Sequence, residues 1–349
     1  MHKIILLAFL FSLNFLTGKA TTITSNNLEY AGKTLDFFKY SDPITQEQIP
    51  VFSLNFNTEG KCSELVNTKI TTYVFCDFGI YQGMLFLEPN QTITLKLPPL
   101  REKSFADQKN PYFSPVAFWF ATENKTQLNN QISNFTQEIN HLTDKFFNQI
   151  YFQHSREIYD SVTFLLDEKF SELKSETFIN NKLLHLKMVE VDAFRQKPAD
   201  YSKIFSSIKS NVWVHPSFIS LFEKTFSKQL SFEAKAIKGQ EIGAAVNNAN
   251  LPFLLNYVKT KYKIDRNTAE LALLKMLHDG FYSGDFSKIA IKEMVKNTVF
   301  AQNSNRIIKD AALRISQKFD FLQTGFAAPT ICLKNLNGDE YCTNSNKDK

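Results

Sequence analysis

Apolar and polar positions along this chain follow two different periods. Between residues 21 and 98, short runs rich in Phe, Tyr, Val, Ile and Thr recur at 35–40, 50–57, 69–78, 84–87 and 92–97. Ser41-Asp42-Pro43, Thr58-Glu59-Gly60 and Glu88-Pro89-Asn90 separate them, and all three are turn formers. Ile93, Leu95 and Leu97 alternate cleanly with polar neighbours, and Val51, Leu54 and Phe56 do so in part. Strands of that kind bury one face and wet the other, which predicts an antiparallel β sandwich over 21–98.

From 126 to 320 the spacing becomes three and four. Leu128, Ile132, Phe135, Ile139, Leu142, Phe146 and Ile150 make one stripe on a helix of about seven turns. After a break at 153–155, Tyr159, Val162, Leu166, Phe170 and Leu173 repeat the pattern, so the two stretches are expected to pair as an antiparallel helical hairpin. Shorter helices follow, divided at Lys197-Pro198, His215-Pro216, Gly239, 247–250 and Gly280, with Asp200, Asn250 and Asp285 as expected N-caps. Between the two regions, 99–125 carries Pro99, Pro111 and Pro115, which forbid a continuous helix. Its Tyr112, Phe113, Phe118, Trp119 and Phe120 are too apolar for a free linker. The expected fold is therefore α+β: a β sandwich (21–98), a connector (99–125), an α-helical domain (126–320) and a β hairpin within 321–349.

The first residues have a different logic. His2 and Lys3 precede an apolar run at 4–16, and Gly18 and Ala20 stand where a signal peptidase reads small residues. The run is too short for a bilayer of about 30 Å, which needs roughly 20 residues as a helix. It predicts a signal peptide over 1–20 and an exported protein of the periplasm or cell envelope. No later stretch has the length and apolarity of a transmembrane helix, and the mature chain is expected to be soluble.

Charge narrows the partners. Loss of Lys3 and Lys19 with the leader takes the net charge from +5 to +3, and lysines and acids alternate elsewhere, so no nucleic-acid partner is expected. The four cysteines are Cys62, Cys76, Cys332 and Cys342, an even count that invites pairing in an exported protein. A hairpin turning near 67–69 would set Cys62 against Cys76; a structural disulfide or two separate buried thiols both satisfy the sequence. No C-x-x-C is present and no His stands at metal-ligand spacing, so no metal is expected, nor any cofactor. H-E-x-x-H, G-x-S-x-G, G-x-G-x-x-G and P-loop patterns are also missing, which leaves no catalytic residue to assign. His185, among leucines, reads as a packing residue. His278-Asp279 reads as a helix C-terminal turn, where the dipole favours His, in preference to a proton relay. Glu190 and Asp192 stand two apart on a helix and cannot face one another.

The tail carries the most specific pattern. Ala328-Pro329, Ile331, Leu333 and the Asn337-Gly338 turn resemble the opening hairpin of a redoxin-type thioredoxin domain, and Asn-Gly between apolar residues is itself a strong hairpin signal. Phe78-Gly79-Ile80-Tyr81-Gln82-Gly83, Leu87-Glu88-Pro89-Asn90, Leu97-Pro98-Pro99 and Asn110-Pro111-Tyr112 resemble the accessory module of exported, TlpA-like thiol–disulfide oxidoreductases of Bacteroidota. The resemblance implies a β module and a helical region ahead of a thioredoxin-like domain, of which this chain holds only the first hairpin. It implies an accessory docking or dimerisation role, with envelope proteins or a second copy as partners. The catalytic C-x-x-C, expected on a helix N-terminus that lowers the thiol pKa, is absent. Cys332 and Cys342 do not replace it: around a two-residue Asn337-Gly338 turn they would miss direct opposition by one residue and point to opposite faces. Two readings compete with this one. Its 34 Phe suit a non-enzymatic envelope binding or scaffold protein, and an exposed apolar stripe over 126–175 would suit a chaperone-like arm.

Overall fold

The computed structural model describes residues 20–124, 127–237, 239–321, 330–334 and 339–343. The leader expected at 1–20 therefore lies, all but Ala20, outside the described residues. The chain divides into two compact units, 1–197 with 207–222, and 198–206 with 223–349. The α+β class is as the sequence predicts. The division, however, falls inside the helical stretch and not at its start.

Among the described residues of the first unit, nine strands form two sheets. The strands are β1 (Ala20–Asn26), β2 (Thr34–Tyr40), β3 (Gln48–Asn55), β4 (Lys61–Asn67), β5 (Thr72–Phe78), β6 (Tyr81–Leu87), β7 (Thr92–Lys96), β8 (Val116–Trp119) and β9 (Ala121–Thr122). One sheet has the order β4-β1-β7-β9 and the other β3-β2-β5-β6-β8. Ile23, Ile93 and Leu95 from the first meet Leu35, Phe37, Val74 and Leu85 from the second in one buried core, as a sandwich requires. The sheets are mixed, not purely antiparallel: β1 runs parallel to β7, and β6 parallel to β8. The proline-rich connector supplies β8 and β9, an edge strand for each sheet, which is where its aromatic residues go.

The outer face of the larger sheet is covered as well. Tyr73, Phe75, Phe86 and Trp119 pack with Leu128, Ile132, Phe135 and Val162 from the helices Leu128–Lys145 and Arg156–Lys169, and with Phe178 from Glu176–Ala193. Being buried on both faces, β5 reads as an unbroken apolar run, Tyr73-Val74-Phe75-Cys76, where an edge strand would alternate. Asn129 locks the layers together: its side chain accepts the Phe86 N–H at 2.7 Å and donates to the Phe86 carbonyl at 2.9 Å. The apolar stripe holds its phase through Leu142, after which a π turn at Asn148–Phe152 keeps Ile150 in the core. Gly79, at the β5–β6 turn, has φ +50°, and a Cβ there would run into the Arg101 carbonyl. Gly79→Ala is accordingly expected to cost about 2 kcal/mol, read as a lower urea midpoint by tryptophan fluorescence.

The second unit is helical up to residue 320 and is organised on Arg266–Ser283, which buries Ala269, Leu271 to Leu274, Met276 and Leu277 on nearly every side. Around it lie Gln229–Lys235, Gln240–Asn247, Leu251–Tyr262, Lys288–Val295 and Arg306–Asp320. Asn250 caps its helix as expected, accepting the Phe253 N–H. Ser287, not Asp285, caps the next one, and Asp200 makes no side-chain cap bond. The C-terminal hairpin pairs β10 (Cys332–Lys334) antiparallel with β11 (Glu340–Cys342).

Candidate functional site

The helix Arg266–Ser283 is apolar nearly all round, so any charge on it must find a partner or lose its charge. Lys275 sits mid-helix and is only 4% exposed. Its Nζ donates to Glu223 Oε2 at 2.7 Å and to Asp279 Oδ1 at 2.9 Å; Asp279 lies one helical turn further on. Asp279 also accepts the backbone N–H of Lys228 at 2.9 Å. His278 places Nδ1 3.1 Å from Asp279 Oδ1 and stacks its ring on Phe319. Burial alone would push the Asp279 carboxyl up; the hydrogen bonds from His278, Lys228 and Lys275, with the Lys275 charge, outweigh it and hold the group at about 2. The expectation that His278 sits in a helix C-terminal turn is corrected here. The helix runs on to Ser283 and ends at Gly284 (φ 77°), so His278 is held by Asp279 and by aromatic packing, not by the helix dipole.

These groups line a cleft of about 580 Å³ together with Ser227, Ser231 and Tyr282. Its lysines and acids offset one another, and its hydroxyls and aromatic edges suit a polar, uncharged or zwitterionic ligand. Asp279 is committed to three donors, which makes it an anchor for the helix and an orienter for His278. Neither Lys275 nor Glu223 was singled out from the sequence. The available signal was a lysine inside the apolar run 271–277, which in an all-round apolar helix implies a buried, paired charge.

The first unit holds a second polar group in its core. His185 is a packing residue as predicted, edge-on to Phe135 at 5.8 Å, with Nδ1 2.9 Å from the Asn181 carbonyl. His215, which the sequence marked only as a helix boundary, lies against Phe86 and Tyr73, and its Nδ1 accepts the Ser217 N–H at 3.0 Å. Burial, reinforced by His185, drives its pKa down to about 3. His215 Nε2 and both side-chain polar atoms of Asn181 are buried without a hydrogen-bond partner among the described residues.

The structure chooses between the two alternatives at one cysteine pair and departs from expectation at the other. Cys62 and Cys76 are free and buried, so the disulfide alternative does not hold. Residues 67–72 do not turn back as a hairpin; they cross between sheets, β4 pairing with β1 and β5 with β2 and β6. Burial pushes the Cys62 thiol up to about 11 and Cys76 higher still. Cys332 and Cys342, by contrast, are directly opposed in the register Cys332↔Cys342, Leu333↔Tyr341, Lys334↔Glu340, and are disulfide-bonded. A two-residue turn would have paired Lys334 with Tyr341; the observed register leaves an odd number of residues between the arms, which brings both cysteines to one face. Leu333 is exposed. Ile331 is exposed as well, and the remaining residues of the redoxin-like pattern, Ala328, Pro329, Asn337 and Gly338, lie outside the described residues. No family model, curated protein or solved structure matches this chain.

Proposed function

We propose that this chain is the non-catalytic, N-terminal part of an exported, TlpA-like thiol–disulfide oxidoreductase, serving in the cell envelope to dock an envelope protein or a second copy of itself. The observation that carries the reading is the short antiparallel hairpin, Cys332–Lys334 with Glu340–Cys342, following the helical unit where the redoxin-like pattern calls for one. The cysteine chemistry agrees with a non-catalytic role. Two thiols are buried at raised pKa and two are joined across strands, whereas turnover in this class needs a C-x-x-C at a helix N-terminus. Among the described residues no helix is long and apolar enough to cross a membrane.

The decisive measurement is the intact mass of the native protein isolated from its host's cell envelope. A mass larger by roughly a hundred residues, one further domain, with peptides containing C-x-x-C, is the expected result. A mass matching residues 21–349 would overturn the reading. Residues 21–349 are expected to lack insulin reduction at the rate of a C-x-x-C oxidoreductase, and clear activity of that kind would count against the reading.

A second reading, a non-enzymatic binding or scaffold protein, draws on the exposed aromatic residues. Phe105 and Tyr112 stand on the connector, Phe152 on the π turn Asn148–Phe152, Phe164 on the helix Arg156–Lys169, and Phe232 on the second unit. The chaperone-like reading is weakened, because the periodic stripe it rested on is packed: Leu128, Ile132, Phe135, Ile139, Val162 and Leu166 are all buried, and the exposed apolar residues in that range, Phe147, Phe152, Phe164 and Leu165, lie off that stripe.

A further inference from the structure

We propose that the Cys332–Cys342 bridge is a thiol–disulfide exchange site, opened in the folded chain by an external dithiol. The argument begins with access. Cys332 is exposed and Cys342 half-buried, and the neighbouring Ile331, Leu333 and Tyr341 are exposed too. The bridge joins residues only 10 apart, directly opposed on two arms of three residues each. A bridge that closes so short a loop restricts the unfolded chain less than a long-range bridge would, and it joins nothing beyond its own hairpin. Placement and span thus suit a reactive role better than a structural one; exposed disulfides are the labile ones. Cys62 and Cys76 lie in the sandwich core with their thiols pushed up by burial, so exchange with them would require unfolding.

The step balances as follows. One thiolate of the external dithiol attacks Sγ of Cys332, the more exposed residue of the pair; the Cys332–Cys342 bond breaks, and Cys342 leaves as a thiolate that takes a proton from water. The second thiolate of the dithiol then attacks its own bonded sulfur, and Cys332 leaves and is protonated. Two electrons pass from the dithiol, which becomes a disulfide, to the bridge, which becomes two thiols.

Glu340 gives the site a preference. Its carboxylate and the two sulfurs all lie within 4.8 Å of one another, so a thiolate approaching the bridge past Glu340 meets a negative charge. The partner that fits is a reduced protein dithiol with a cationic rim, not an anionic small thiol.

The test treats the folded chain with dithiothreitol, alkylates it and maps the label by mass spectrometry. Label on Cys332 and Cys342, with Cys62 and Cys76 labelled only in denaturant, is the expected result. Glu340→Gln should open roughly two- to five-fold faster at low ionic strength, with the difference lost in about 1 M salt. A bridge that resists dithiothreitol until the chain unfolds, or four free thiols in protein purified under oxidising conditions, would overturn the proposal. Equal opening rates for Glu340→Gln and the parent at low salt would remove the preference for a cationic partner. The mass test of the proposed function is independent of all these outcomes.

Discussion

Acidification from pH 6.5 to about pH 4 is expected to cost the first unit about 3 kcal/mol of stability, through His215. Above pH 6.5 the imidazole is neutral in both the folded and the unfolded chain and contributes no slope. Below it, the unfolded chain takes up a proton that the folded chain refuses until about pH 3, because the ring is buried against Tyr73 and Phe86 and has His185 as its neighbour. The unfolded state then binds more protons, so stability falls as pH falls. His185, itself lowered by burial, adds in the same direction. Asp279 belongs to the other unit and to a lower window: its contribution is intact above pH 3.8 and fades toward pH 2. Urea unfolding followed by tryptophan fluorescence isolates the effect, since both tryptophans, Trp119 and Trp213, are buried in the first unit. His215→Asn keeps a side-chain acceptor for the Ser217 N–H, as an N-cap should, and is expected to flatten the slope between pH 6.5 and 4. An unchanged slope in that variant would assign the acid sensitivity elsewhere.

Lys275→Ala is expected to cost the second unit about 3–5 kcal/mol, the range for removing one partner of a buried ion pair. The loss has two parts. Asp279, itself largely buried, loses a hydrogen bond and its nearest positive charge, while Glu223, more exposed, loses less. The core also loses the methylene stem of a side chain that is 4% exposed. With no tryptophan in this unit, the readout is amide hydrogen exchange along Arg266–Ser283, whose protection should drop by the same free energy. Combining Lys275→Met with Asp279→Asn is expected to recover part of the loss, because the isolated charge goes with its partner. A cost below about 1 kcal/mol for Lys275→Ala would show that the network is solvated and contributes as little as a surface pair.

Local periodicity was legible in the sequence, and nearly every position it marked is buried. The stripe from Leu128 to Ile150, its repeat from Tyr159 to Phe170, and the alternation at Ile93 and Leu95 all follow from backbone repeats of 3.6 and 2 residues, which each segment carries within itself. The α+β class follows from the order of those segments. Ala20–Asn26 escaped notice because Ile23 is its only large apolar residue; its strand character comes from pairing with Lys61–Asn67 and Thr92–Lys96. Val116–Trp119 escaped because Pro111 and Pro115 stand just before it, and it became a strand by adding to an existing edge.

What the tertiary structure alone decided is which segments meet and in what register. Cys62 and Cys76 face apart or together according to whether 67–72 turns back or crosses between sheets. Cys332 and Cys342 bond because their hairpin is offset by one residue from the turn that Asn337-Gly338 predicts. Lys275 announces a buried charge from sequence, but its partner Glu223 is brought to it by the packing of another helix. Periodicity is a property of a few consecutive residues; contact between distant segments depends on loop closure, register and burial balanced over the whole chain, and no single segment encodes that balance.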